Sequence, residues 1–169
     1  MVDYRQWAYR ELKRQGFTVF APYKSLSGEC VVATKDCQDH LRKLRIKGSR
    51  SYHDFPSGWY QLPEDHLKKS IGVIDFWVFV SSRSAPNLGR PQPVFLIIPT
   101  SDLIEKLKQY ATPDSNGTYH LYLQWDEPDH KGMVIERRIE EPWPIKSGSA
   151  RDYSCYAENW TLIKENSSL

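Results

Sequence analysis

The sequence predicts an α/β (α+β) domain built around a mixed central sheet. Three observations point there. A helical segment at the start is followed by three short β-rich segments. Two nearly continuous apolar runs, "VIDFWVFV" (73–80) and "VFLIIP" (94–99), come later. The second of these leads straight into another helical pattern. A chain of 169 residues suits one domain, 1–169, with a substantial core.

The elements follow in order. Residues 3–15 have helical spacing at Trp7, Ala8, Glu11 and Leu12, with Asp3 as N-cap and Gly16 as the stop. "FTVFAP" is β-rich and ends at Pro22; "YKSLSG" reads as a loop; "ECVVAT" is a second strand; "KDCQDH" is a polar turn. "LRKLRIKG" is a third strand, with Leu44 and Ile46 on one face and Lys43, Arg45 and Lys47 on the other. From about 49 to 72, Gly, Pro, Ser and aromatic residues mix, which predicts a long loop with a short helix or turn near 63–69. The apolar runs 73–80 and 94–99 read as strands buried on both faces. "TSDLIEKLKQYA" is a helix capped by Thr100, Ser101 or Asp102, and "TYHLYLQW" (118–125) alternates as a strand does. The tail "RDYSCYAENWTLIK" fits a closing helix.

Composition narrows the function. Charged residues make up 26%, hydrophobic residues 40%, and the net charge is +2, an ordinary globular balance. The cations are uneven: Lys35, Arg42, Lys43, Arg45, Lys47 and Arg50 crowd one stretch against Asp36 and Asp39. A solvated charged face is the ordinary explanation of such a run. Three cysteines without paired spacing point away from a disulfide framework or structural zinc and toward a reducing, cytoplasmic setting. The charged N-terminal stretch is no signal peptide, and the apolar runs are too short to span a bilayer. The histidines, His40, His53, His66, His120 and His130, show no metal-ligand spacing. Nucleophile-elbow and phosphate-loop motifs are absent as well.

One constellation carries chemistry. The first helix bears Glu11, a strand opens with Glu29, and after a polar turn the next strand delivers Lys47. Paired strands lie about 5 Å apart, so Glu29 and Lys47 can converge on one face. Carboxylates beside a lysine suit phosphodiester hydrolysis. The acids, Glu29 and Glu11, hold Mg²⁺, which polarises the phosphate and activates a water. The lysine orients that water or offsets transition-state charge. Lys43, Arg45 and Arg50 are placed to meet backbone phosphates. Tyr52, Phe55, Trp59 and Tyr60 can stack on bases, or pack a loop.

Taken in order, "RQWAYRELKRQGF", "GECVVATKD", "LRIKGSR" and the later pair "VIDFWVFV"/"VFLIIPTSDL" resemble the PD-(D/E)XK nuclease superfamily, the restriction-endonuclease-like fold, over roughly residues 3–111. The resemblance implies a helix bearing a glutamate, an acid opening a strand, a hairpin, and a strand ending in an acid-x-Lys triplet. It further implies a strand pair running into a helix. The implied activity is Mg²⁺-dependent cleavage of DNA by Glu11, Glu29 and Lys47, and enzymes of this kind often work as homodimers. The sequence departs from the pattern at Arg45, where the triplet has its acid. A guanidinium cannot ligate Mg²⁺, and at about 4 Å it repels one by roughly 1–4 kcal/mol. Arg45 therefore either pairs with Glu29, or holds a phosphate while Glu11, Asp36 or Asp54 supplies the missing acid. The alternative function is a catalytically degenerate nuclease fold that binds nucleic acid or another protein.

Overall fold

The structure is a computed structural model that describes residues 4–20, 23–25, 28–35, 41–49, 57–83, 92–125, 134–136 and 149–165. It is a mixed α/β fold. Helix α1 (Tyr4–Arg14) buries Ala8 and Leu12, four residues apart on one stripe. Gly16 follows at φ +87°, a left-handed conformation that glycine adopts without steric cost. Strands β1 (Phe17–Val19), β2 (Tyr23–Ser25), β3 (Gly28–Lys35) and β4 (Leu41–Gly48) come next, then β5 (Ser57–Pro63) and helix α2 (Glu64–Ser70). Strands β6 (Phe76–Arg83) and β7 (Gln92–Pro99) precede α3 (Thr100–Tyr110). Strands β8 (Thr118–Trp125) and β9 (Val134–Glu136) follow, then a 3-10 turn at Ser154–Tyr156 and α4 (Thr161–Glu165).

The strands form two sheets. The first runs β1-β3-β4-β6-β7, with β2 also on β3; the second runs β5-β8-β9. Within the first sheet β4 and β6 pair in parallel, while β3–β4 and β6–β7 are antiparallel. A parallel pair needs a long crossover, and here the crossover contains β5 and α2. Strand β6 is therefore covered on both sides. Phe76, Val78 and Val80 join Leu44, Phe95 and Ile97 beneath Ala8, Leu12, Trp160 and Ile163. Trp77 and Phe79 join Leu96 and Ile98 against Tyr60, Leu62, Leu121 and Leu123 of the second sheet and Leu103 and Leu107 of α3. This double burial is why the run is apolar at nearly every position.

Two local devices hold the first sheet. Asp75 precedes β6, and its carboxylate accepts the Lys43 N–H at 2.7 Å while its own N–H donates to the Lys43 carbonyl at 2.9 Å. At the far edge, the Glu158 N–H donates to the Phe95 carbonyl at 2.9 Å, and the Phe95 N–H donates to Glu158 Oε1 at 2.8 Å. These bonds hold Glu158 at φ 52°, in the left-handed region.

The sequence expectations differ at five places. Residues 57–63, expected as part of a long loop, are strand β5, while the short helix expected near 63–69 is α2. Tyr60 and Leu62 alternate inward and are worth more buried than the Gly and Pro around them cost. Residues 23–25 pair with β3 instead of looping. Strand β6 starts at Phe76, so Asp75 lies in the preceding turn and is exposed. Helix α3 begins at Thr100 after Pro99 with no side-chain cap; the Thr100 hydroxyl instead donates to the Ile74 carbonyl at 2.6 Å. The tail is a 3-10 turn and a short α4, not one closing helix. Asp3, the expected first cap, lies outside the described residues.

Candidate nucleic-acid interface

Strand β4 carries the cations in the expected alternation. Leu44 is fully buried on the α1 side. Lys43 is exposed and Lys47 half-buried. Arg45 is different: it is only 5% exposed. Its register partner is Trp77, and its guanidinium carbon lies 5.1 Å from the centre of the indole ring. A cation over an indole face is attracted by the ring quadrupole, and the interaction is strongest away from water. So the residue at the acid position of the triplet is a packing element between the two sheets. Buried to this degree, it presents no surface to a phosphate.

Of the two acids expected beside Lys47, Glu11 has its side chain among the described residues. Glu11 sits on α1, where both carboxylate oxygens are engaged within the helix. Arg14 Nη2 donates to Oε1 at 2.6 Å, Arg14 Nε to Oε2 at 2.8 Å, and Gln15 Nε2 to Oε1 at 2.8 Å. The Arg14 guanidinium holds the Glu11 carboxyl below its ordinary pKa. The backbone of Glu29 pairs with Lys24 of β2. The side chain of Glu29 lies outside the described residues. Lys47 alternates along β4 with Lys43 and Arg45. Among the described residues no group of three His, Cys, Asp or Glu side chains is arranged to hold a metal ion. Arg50, Asp36, Asp54, Tyr52 and Phe55 lie outside the described residues.

A second set of residues does assemble. The outward positions of β5 and β8 bring Trp59 opposite Tyr122 and Gln61 opposite His120. The Trp59 indole N–H donates to His120 Nδ1 at 3.1 Å, and the two ring planes differ by 17° with centroids 5.8 Å apart. An indole N–H and an imidazole lone pair both lie in the planes of their rings. The bond therefore joins the two nearly parallel rings. Tyr122 lies parallel to Trp59 within 3°, at 6.1 Å. Because Nδ1 accepts, the imidazole hydrogen is on Nε2, which donates to Asp114 Oδ2 at 2.9 Å. That bond, ahead of those from Thr118 and Asn116, lowers the Asp114 pKa. Asp114 Oδ1 accepts the N–H groups of Asn116 at 2.9 Å and Thr118 at 3.0 Å, which fixes the turn leading into β8.

This raft joins the end of β4. The Trp59 backbone N–H donates to Ser49 Oγ at 3.1 Å, and the Ser49 N–H donates to the Val80 carbonyl at 2.9 Å. Sequence reasoning named Trp59 but missed His120, Tyr122 and Asp114. The signal was present in the alternation of "TYHLYLQW", which puts His120 and Tyr122 on the outward face. Among the described residues no helix is long and apolar enough to cross a membrane. Comparison with protein-family models, with curated proteins and with solved structures finds no match.

Proposed function

We propose that the domain is a nucleic-acid-binding module on the restriction-endonuclease-like plan, with the acid position of its acid-x-Lys triplet given over to packing. The order of elements supports the plan. A helix bearing Glu11 precedes the β3–β4 hairpin, and the antiparallel pair β6–β7 runs into α3. The observation that carries the loss of catalysis is Arg45, buried against Trp77 where a metal-binding acid belongs. On the same strand Lys43 is exposed and Lys47 half-buried. An exposed cation favours phosphates through counterion release, a sequence-independent attraction.

The test is fluorescence anisotropy with labelled duplex and single-stranded DNA across a salt series, run beside a cleavage assay in Mg²⁺, Mn²⁺ and EDTA. Binding is expected to weaken steeply with salt, and no metal-dependent cutting is expected. Lys43→Ala should reduce the salt slope by about one. Cutting that disappears in Lys47→Ala would restore the hydrolase with Glu11, Glu29 and Lys47 as its site. No retention of DNA even at low salt would remove the nucleic-acid role.

A further inference from the structure

The bonds that join Trp59, His120 and Asp114 suit one protonation state. The Trp59 indole N–H donates to His120 Nδ1 at 3.1 Å, and His120 Nε2 donates to Asp114 Oδ2 at 2.9 Å. One ring nitrogen accepts and the other donates, a pattern that only the neutral imidazole can supply. The imidazolium carries a hydrogen on both nitrogens, and an indole N–H can only donate. With N–H bonds about 1 Å long, the two opposed hydrogens would stand roughly 1 Å apart across the 3.1 Å gap. One ring then has to move. Histidine is the side chain that changes charge between about pH 5 and 8. The His120 side chain is 26% exposed, so protons reach it from solvent.

We propose that this row of bonds is a pH-sensitive switch: protonation of His120 releases the Trp59 indole, and deprotonation recaptures it. The inference goes beyond the nucleic-acid reading and does not depend on it. The surrounding bonds decide which ring leaves. Protonation adds ionic attraction to the bond between His120 and Asp114. Asp114 is itself held, because its Oδ1 accepts the N–H groups of Asn116 and Thr118. The imidazolium therefore stays on Asp114 and the indole turns away. The Trp59 backbone N–H is tied to Ser49 Oγ, and Trp59 pairs with Tyr122 in the β5–β8 ladder, so the movement is confined to the side chain. Three other side chains face the imidazole among the described residues. Asp114, from the turn before β8, is the acid bonded to it; Tyr122 of β8 is a phenol stacked 6.4 Å away; and Gln61 of β5, its cross-strand partner, is an uncharged amide. Two arrangements of the outer face result. In one, indole and imidazole are joined and nearly parallel; in the other, the indole reorients while His120 keeps its acid. A partner that prefers either arrangement would be bound in a pH-dependent way.

The experiment is an NMR titration of the full chain from about pH 8 to about pH 5. It reads the Trp59 indole N–H signal, assigned by its loss in Trp59→Phe, and the His120 imidazole C–H signals, assigned by their loss in His120→Gln. In wild type the two sets should shift together with one midpoint, the indole signal moving toward the position of a water-bonded indole. In His120→Gln the side-chain amide accepts the indole N–H at any pH, so the Trp59 signal should stay fixed across the same range. Circular dichroism checks that each protein is folded. Should His120→Gln fail to fold, the coincidence of the two wild-type midpoints still decides. A His120 that titrates while the Trp59 signal stays in place would overturn the switch. So would an imidazole that remains neutral down to about pH 5. An equal shift of the Trp59 signal in His120→Gln would assign the movement to another group and overturn it as well.

Discussion

Replacing Arg45 by glutamate restores the acid-x-Lys triplet in sequence and tests whether that position is a packing site. In the structure the guanidinium lies 5.1 Å from the Trp77 ring centre and the residue is 5% exposed. Losing a desolvated cation over an indole costs about 2 kcal/mol. Putting a carboxylate on the negative ring face, away from water, costs a further 2–3 kcal/mol or so as an ill-paired buried polar group. The sum, roughly 4–5 kcal/mol, is a large part of a typical domain stability of about 5–15 kcal/mol. With a urea m-value of about 2 kcal/mol/M, the unfolding midpoint should fall by roughly 2 M. Arg45→Met keeps an apolar stem and removes the charge, so its loss should be smaller, about 1–2 kcal/mol. Urea unfolding followed by tryptophan fluorescence measures both. A glutamate variant with an unchanged midpoint would show that the guanidinium does not sit on Trp77. A midpoint that rises with Mg²⁺ in that variant would show a ligand bound to the folded state and return the metal site.

Three further perturbations test other parts of the frame. At Gly58 a Cβ would stand 2.7 Å from Tyr60 Cε2 and Oη, and Tyr60 is only 1% exposed, so Gly58→Ala should destabilise by about 1–3 kcal/mol in urea unfolding. An unchanged midpoint there would mean that β5 has room to move off its packing. Asp75→Ala removes the acceptor of the Lys43 N–H and should cost about 1 kcal/mol, with amide exchange at Lys43 speeding up; unaltered exchange at that amide would contradict the latch. Asp114 has a lowered pKa, mainly through His120, so its contribution is present above the unfolded value near 4 and disappears as pH falls through the lower folded value. Thermal melts of Asp114→Asn should therefore be flatter than wild type across that acid range, and parallel profiles would count against the His120–Asp114 bond.

The legible parts of the fold were those set by local pattern. The apolar runs of β6 and β7 and the helical spacing at Ala8 and Leu12 are read within a few residues of chain. The strand "SGWYQLP" was hidden by its flanking Ser, Gly and Pro, although Tyr60 and Leu62 already alternate inward. Register was not legible. Whether Glu29 faces with Lys47 depends on one residue of offset across the β3–β4 hairpin, and a slip of one exchanges the faces. Arg45 stood out in the sequence as a misplaced cation, but its partner Trp77 lies on a strand reached through a crossover, and no local rule pairs them. The same holds for the raft: the alternation around His120 was readable, while the indole it meets lies 61 positions earlier.

The bond between Phe95 and Glu158 joins residues 63 positions apart, so the outer edge of β7 waits for chain made much later. At a synthesis rate of about 5–20 residues per second, that edge stands open for roughly 3–13 s on the ribosome. Throughout that interval a strand reading "VFLII" offers unpaired backbone groups to any neighbouring nascent chain, the geometry from which β-aggregation starts. Yield in the cell should therefore depend on how quickly the Tyr153–Ile163 segment emerges and docks, and a cluster of slowly translated codons just before it would lower recovery without changing one amino acid.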